Sequence, residues 1–121
     1  MSPRDYDTFL RMLAGGGAVG RVRVMKPETV RLGMSNLISD SVDRKGTFVE
    51  GQGFGAGGRV TVRTDPMGTG IGTYGWGGAA ATLAWVDPTR DLRASGYVQF
   101  MPDSALPWRQ EFGRAVYASV L

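Results

Sequence analysis

Gly72-Thr73-Tyr74-Gly75-Trp76-Gly77-Gly78-Ala79-Ala80-Ala81-Thr82-Leu83-Ala84-Trp85-Val86-Asp87-Pro88 is the stretch whose reading decides the fold. From Trp76 to Val86 both alternating sets of side chains are apolar or small. Trp76, Gly78, Ala80, Thr82, Ala84 and Val86 form one set, and Ala79, Ala81, Leu83 and Trp85 the other. A strand of that kind belongs in a sheet covered on both faces. Alanine's helix propensity makes Ala79-Ala80-Ala81-Thr82-Leu83 a helix candidate as well. The run is short, carries Trp85 and Val86 and stops at Asp87-Pro88, so a strand is expected.

Strand signals flank it on both sides. Arg59-Val60-Thr61-Val62-Arg63 alternates, with Phe54 extending it backward through the glycines, and Asp65-Pro66-Met67-Gly68 makes a turn. Downstream, Asp87-Pro88-Thr89-Arg90-Asp91 turns the chain into a run from Leu92 to Met101, again apolar on both sets. These runs predict a three-stranded antiparallel meander.

Helices are expected at either end. Ser2-Pro3-Arg4-Asp5 combines a capping serine, a first-turn proline and an acid at the positive helix end. Tyr6, Phe9, Leu10 and Leu13 continue it as one apolar stripe, and Gly15-Gly16-Gly17 stops it. Gly20 to Met25 alternates as a short half-exposed strand, and Pro27 opens a short helix to about Met34. Ser35 to Gln52 is polar and poorly periodic, a long surface loop. Pro107-Trp108 opens a last helix in which Trp108, Phe112, Ala115, Val116 and Val120 share a face. The whole is an α+β arrangement, a three-stranded meander with flanking helices, in one domain over 1–121. So few helices under-cover a sheet buried on both faces, which implies either self-association or a domain completed by other chain.

Composition removes several function classes. The 121 residues contain no Cys and no His, which excludes Ser-His-Asp and Cys-His catalysis within the chain and leaves zinc only carboxylate ligands, an unusual site. The net charge of +3 comes from 14 Lys and Arg against 11 Asp and Glu. The arginines are scattered singly, without the stripe that marks nucleic-acid binding. No run approaches the roughly 20 apolar residues of a membrane span. The N-terminal stretch lacks a signal peptide's apolar region, pointing to the cytoplasm rather than the periplasm.

Several motifs compete for attention. Gly53, Gly55, Gly58 and Gly70, Gly72, Gly75 both match G-x-G-x-x-G, but neither has the strand-before, helix-after context of a dinucleotide loop, so no cofactor is expected. Ser41 and Lys45 lie four apart in a charged stretch that reads as a solvated loop. Asp87 and Asp91 could be an acid/base pair, but their place beside Pro88 favours turn chemistry. Gly75 to Ala79 has two readings that residue chemistry leaves equal. The glycines admit a closely packed neighbour, or they bare a strand edge that can donate N–H groups to a developing oxyanion.

A resemblance bears on that choice. Asp5-Tyr6 with Phe9, Met12-Leu13 and Gly15-Gly16-Gly17 resembles the helix after the second catalytic motif of class C β-lactamase-like serine hydrolases. Lys26-Pro27-Glu28-Thr29-Val30 matches the short helix that follows. Gly72 to Ala79 looks like the third active-site box in the Trp-Gly-Gly form of esterase members. Trp85-Val86-Asp87-Pro88 with Asp91-Leu92, then Gln99, resembles the last two strands, and Glu111-Phe112 with Val116-Tyr117 the last helix.

The likeness implies the C-terminal part of a β-lactamase/transpeptidase-like fold. Trp76, Gly77 and Gly78 would line the substrate pocket, Tyr74 would flank the cleft, and the Ala79 backbone N–H would be one of two oxyanion donors. The substrate of the complete enzyme would be an ester or amide. The family's Ser-x-x-Lys nucleophile is absent from these residues, so catalysis would need an upstream N-terminal half, and the chain alone would be silent. The other reading is a non-catalytic module that keeps the sheet and self-associates through it.

Overall fold

A computed structural model describes residues 1–120. The elements run α1 (Pro3–Ala14), β1 (Ala18–Val19), β2 (Val22–Arg23), α2 (Pro27–Gly33), β3 (Gly53–Phe54), β4 (Arg59–Val60), β5 (Tyr74–Gly77), β6 (Leu83–Asp87), β7 (Leu92–Gly96), a 3-10 turn at Asp103–Ala105 and α3 (Trp108–Ser119). The class is α+β, with antiparallel sheets. Helix α1 starts as its sequence dictates. The Ser2 hydroxyl accepts from the Asp5 N–H at 3.2 Å, and the Asp5 carboxylate accepts from the Ser2 N–H at 2.9 Å, a reciprocal capping box.

The meander has five strands, not three. Strands β3 to β7 pair antiparallel in sequence order. One added strand is β3, and the other comes from a split of the long apolar run. Phe54 does not prolong the Arg59 run but folds back on it, with Gly53 opposite Val60 and Phe54 opposite Arg59. The expected strand from Trp76 to Val86 is in fact two strands and a turn. Gly78 donates to the Thr82 carbonyl at 2.9 Å and Ala81 to the Gly78 carbonyl at 3.0 Å, with Ala81 at φ +70°. Alternation in small residues does not distinguish a strand from a tight hairpin turn, and three alanines carried the pattern across the reversal. The Gly20–Met25 strand is likewise a hairpin arm, because Gly20 at φ +56° reverses the chain between β1 and β2. The last strand ends at Gly96, short of the expected Met101.

Burial on both faces is concentrated in β6, whose five residues are all buried. Ala84 and Val86 pack with Leu10, Met12 and Leu13 of α1 and Val30 of α2. Leu83 and Trp85 pack with Tyr117 of α3, flanked by Phe112 and Val116. The result is three layers, α1, sheet and α3. Apolar side chains stay outside this cover, among them Phe48 at 74% exposed, Val22 at 65% and Val24 at 63%. Residues 35 to 52 form the expected loop, pinned by Asn36, whose carbonyl oxygen accepts from the Ile38 and Phe54 N–H groups at 3.1 Å each. Among the described residues no helix is long and apolar enough to cross a membrane.

Candidate functional site

The free part of β5 is the most site-like feature. β4 pairs only with Tyr74 and Gly75, while β6 pairs with all four residues of β5. The backbone of Trp76 and Gly77 therefore has no strand partner on the β4 side. The Trp76 ring is 42% exposed. It meets Phe48 at 5.4 Å and Phe54 at 5.5 Å between centroids, both edge-to-face, a geometry favoured by the ring quadrupoles. Trp76 also lines a cavity of about 280 Å³ with Tyr6, Tyr97, Thr82, Gly78 and Ala84.

Beyond β5 the turn exposes Ala79. Ala79 is the second residue of the four-residue turn closed by the Ala81-to-Gly78 bond, and its N–H has no partner among the described residues. Side chains from α3 hold the turn from behind. Trp108 Nε1 donates to the Ala81 carbonyl at 2.8 Å, and Arg109 Nη2 to the Gly78 carbonyl at 2.5 Å. An unpaired N–H beside an open strand edge can donate to an incoming carbonyl oxygen.

The glycines have packing causes. A Cβ on Gly75 would run into the β6 backbone at Ala84 and Trp85. One on Gly77 would meet the Arg109 guanidinium, and one on Gly78 the Thr82 hydroxyl. The packing reading holds for the side-chain directions of all three glycines, which neighbours fill, while the Trp76–Gly77 edge has no strand partner on the β4 side. Tyr74 is half-buried and tied down, its hydroxyl donating to the Ala56 carbonyl at 2.5 Å. Burial, then the nearby Tyr6, raises its pKa above the usual phenol value.

The remaining sequence candidates fall elsewhere. Ser41 and Lys45 line an open, polar depression with Asp40, Asp43 and Arg44, and none of residues 74 to 79 lines it. Neither G-x-G-x-x-G segment leads into a helix, since one is the β3–β4 hairpin and the other enters β5. Among the described residues no three acidic, His or Cys side chains gather as metal ligands.

Asp87 and Asp91 do not form a working pair. Asp91 is an exposed turn residue at φ +48°. Asp87 is fully buried and saturated with donors. It accepts from the Thr89 hydroxyl at 2.6 Å, the Thr89 N–H at 2.9 Å, the Gly70 N–H at 3.0 Å and the Tyr117 hydroxyl at 2.9 Å, and Arg90 pairs with it at 3.1 Å. Burial pushes its pKa up, but the donors from Thr89, Gly70 and Tyr117 outweigh burial and hold the carboxyl at about 2. Burial, then the Asp87 carboxylate, raises the Tyr117 pKa. The local half of this node, Asp with Thr two residues on, is a turn signal in the sequence. The Gly70 and Tyr117 contacts span 17 and 30 residues and leave no local trace.

No model of a known protein family matches the chain. The chain is similar to two proteins of Mycobacterium tuberculosis, Protein Rv1367c and Uncharacterized protein MT1414. Each is 38% identical over 110 residues, covering 82% of this chain and 27% of the relative. The chain thus spans about a quarter of the length of the curated relatives it matches.

Proposed function

We propose that this chain is the C-terminal segment of a serine acyl hydrolase similar to the class C β-lactamase-like esterases. It supplies the third active-site box and one oxyanion donor, and an upstream segment supplies the Ser-x-x-Lys nucleophile. The observation that carries the reading is the conjunction at the end of β5: an unpaired Trp76–Gly77 edge, an exposed Trp76 ring and a partnerless Ala79 N–H. The acyl carbonyl oxygen accepts from Ala79 as negative charge develops on it, while the ester or amide lies along the bare edge. The lack of His is consistent with a lysine-activated serine. The partial span of much longer relatives is consistent with a nucleophile carried elsewhere in the polypeptide.

The test is reconstitution. The purified chain alone is expected to leave p-nitrophenyl acetate and a fluorophosphonate probe untouched. Joined to the remainder of Protein Rv1367c, it is expected to hydrolyse the ester and to acquire label on a serine outside these residues. Label on a serine of this chain alone refutes the reading.

The exposed Phe48, Val22 and Val24 favour one second reading, a non-catalytic module that self-associates. A dimer of the chain alone by size-exclusion mass, together with no activity on reconstitution, would select it.

A further inference from the structure

The connection between β5 and β6 has a feature that its own sequence does not require. Ala81 sits at φ +70° with its side chain fully buried. An L-residue with a Cβ is disfavoured there relative to glycine, and such a conformation persists where surrounding contacts over-determine it. Two successive residues on the first turn of α3 supply those contacts. Trp108 Nε1 holds the Ala81 carbonyl, at the last residue of the turn, and Arg109 Nη2 holds the Gly78 carbonyl, at the first. The guanidinium also lies flat against Gly77, where a Cβ would collide with it. Asp103, in the 3-10 turn just before α3, pairs with the same Nη2 at 2.7 Å and restrains the guanidinium further.

Between the two held carbonyls lies Ala79, whose N–H is free. We infer that Trp108 and Arg109 are positioning residues: they clamp both ends of the Gly78–Ala81 turn and so hold the Ala79 N–H beside the unpaired Trp76–Gly77 edge. The inference deepens the hydrolase reading and rests on it for the purpose of the clamp. The clamp itself lies wholly within this chain. It gives a role to the charged side chain that α3 sends against Gly77 and Gly78. A fixed donor needs no reorganisation when charge appears on the carbonyl oxygen, and that gives the arrangement its value in acyl transfer.

Amide hydrogen exchange on the chain as it stands is the decisive experiment. The Ala81 N–H reports the turn directly because it donates to the Gly78 carbonyl that Arg109 also holds. In Arg109→Ala and in Trp108→Phe, Ala81 is expected to exchange faster by about tenfold or more, with the Trp85 and Val86 amides of β6 unchanged. Arg109→Lys keeps one charged donor and should restore part of the protection. Unchanged Ala81 protection in both variants overturns the clamp, and so does a loss spread evenly over β6 and α3. In the reconstituted hydrolase, Arg109→Ala should lower kcat with KM held, whereas a rise in KM at constant kcat overturns positioning. Exchange needs no activity, so failure of the clamp and failure of the hydrolase reading are separate results.

Discussion

The Tyr117 hydroxyl donates to Asp87 Oδ2 at 2.9 Å, joining the last helix to the end of β6. The same hydroxyl accepts from Trp85 Nε1 at 3.0 Å, so the polar chain runs through the core beside the apolar contacts of Trp85 with Phe112. Arg90 lies over the Tyr117 ring at 4.8 Å and closes the node toward solvent. Tyr117→Phe keeps the ring and removes one donor from a buried carboxylate. We expect a loss of about 1.5–3 kcal/mol by urea denaturation, with an upward shift of the Asp87 carboxyl titration read by NMR.

Stability should also depend on pH through Asp87. Its folded pKa of about 2 lies below the ordinary 3.8, so the folded state binds its proton less readily than the unfolded chain does. The carboxylate's contribution is therefore complete above about pH 4 and is lost as pH falls toward 2, on the order of 2 kcal/mol in all. Asp87→Asn should be less stable at neutral pH and should flatten that acid limb in denaturation midpoints taken from pH 6 to 2.

Gly75 and Gly77 share a face of β5 but should differ in tolerance. The Cβ of Gly75→Ala meets the backbone of β6, which cannot yield without opening the Gly75–Trp85 pair. The Cβ of Gly77→Ala meets the far end of the flexible Arg109 side chain. We expect a loss of roughly 1–3 kcal/mol for Gly75→Ala and a clearly smaller one for Gly77→Ala. Equal thermal shifts for the two would contradict the packing described.

Trp76 should behave as a surface aromatic and Trp85 as a core one. Trp85 is 2% exposed, against 42% for Trp76. Trp76→Phe is expected to remove most of the acrylamide-quenchable emission at little cost in stability. Trp85→Ala should destabilise by about 3–5 kcal/mol.

Local signals were the legible part of this fold. The Ser2/Asp5 cap, the Tyr6-to-Leu13 stripe, the proline at the head of α2 and the apolar face of α3 all act within a few residues, and each helix appears where they place it. Burial of β6 on both faces was also written in its composition. Reversals were not, because Gly20 and the alanine run at 79–81 fit an extended pattern and a turn equally well. The box at Trp76 was visible as a glycine cluster around an aromatic. The reason for those glycines lay in contacts from β6, Thr82 and Arg109, and the Arg109 contact with Gly78 spans 31 residues.

In the proposed acyl transfer this chain contributes a single N–H to the oxyanion, that of Ala79. Proline deletes it, and the first central position of a four-residue turn is one that proline's fixed φ suits, so Ala79→Pro should preserve the Gly78–Ala81 turn. The measurement is kcat for p-nitrophenyl acetate in the reconstituted protein, with thermal unfolding of the variant as the folding control. A fall of about 10²–10³-fold in a folded variant is the predicted result. Full activity in folded Ala79→Pro would contradict it.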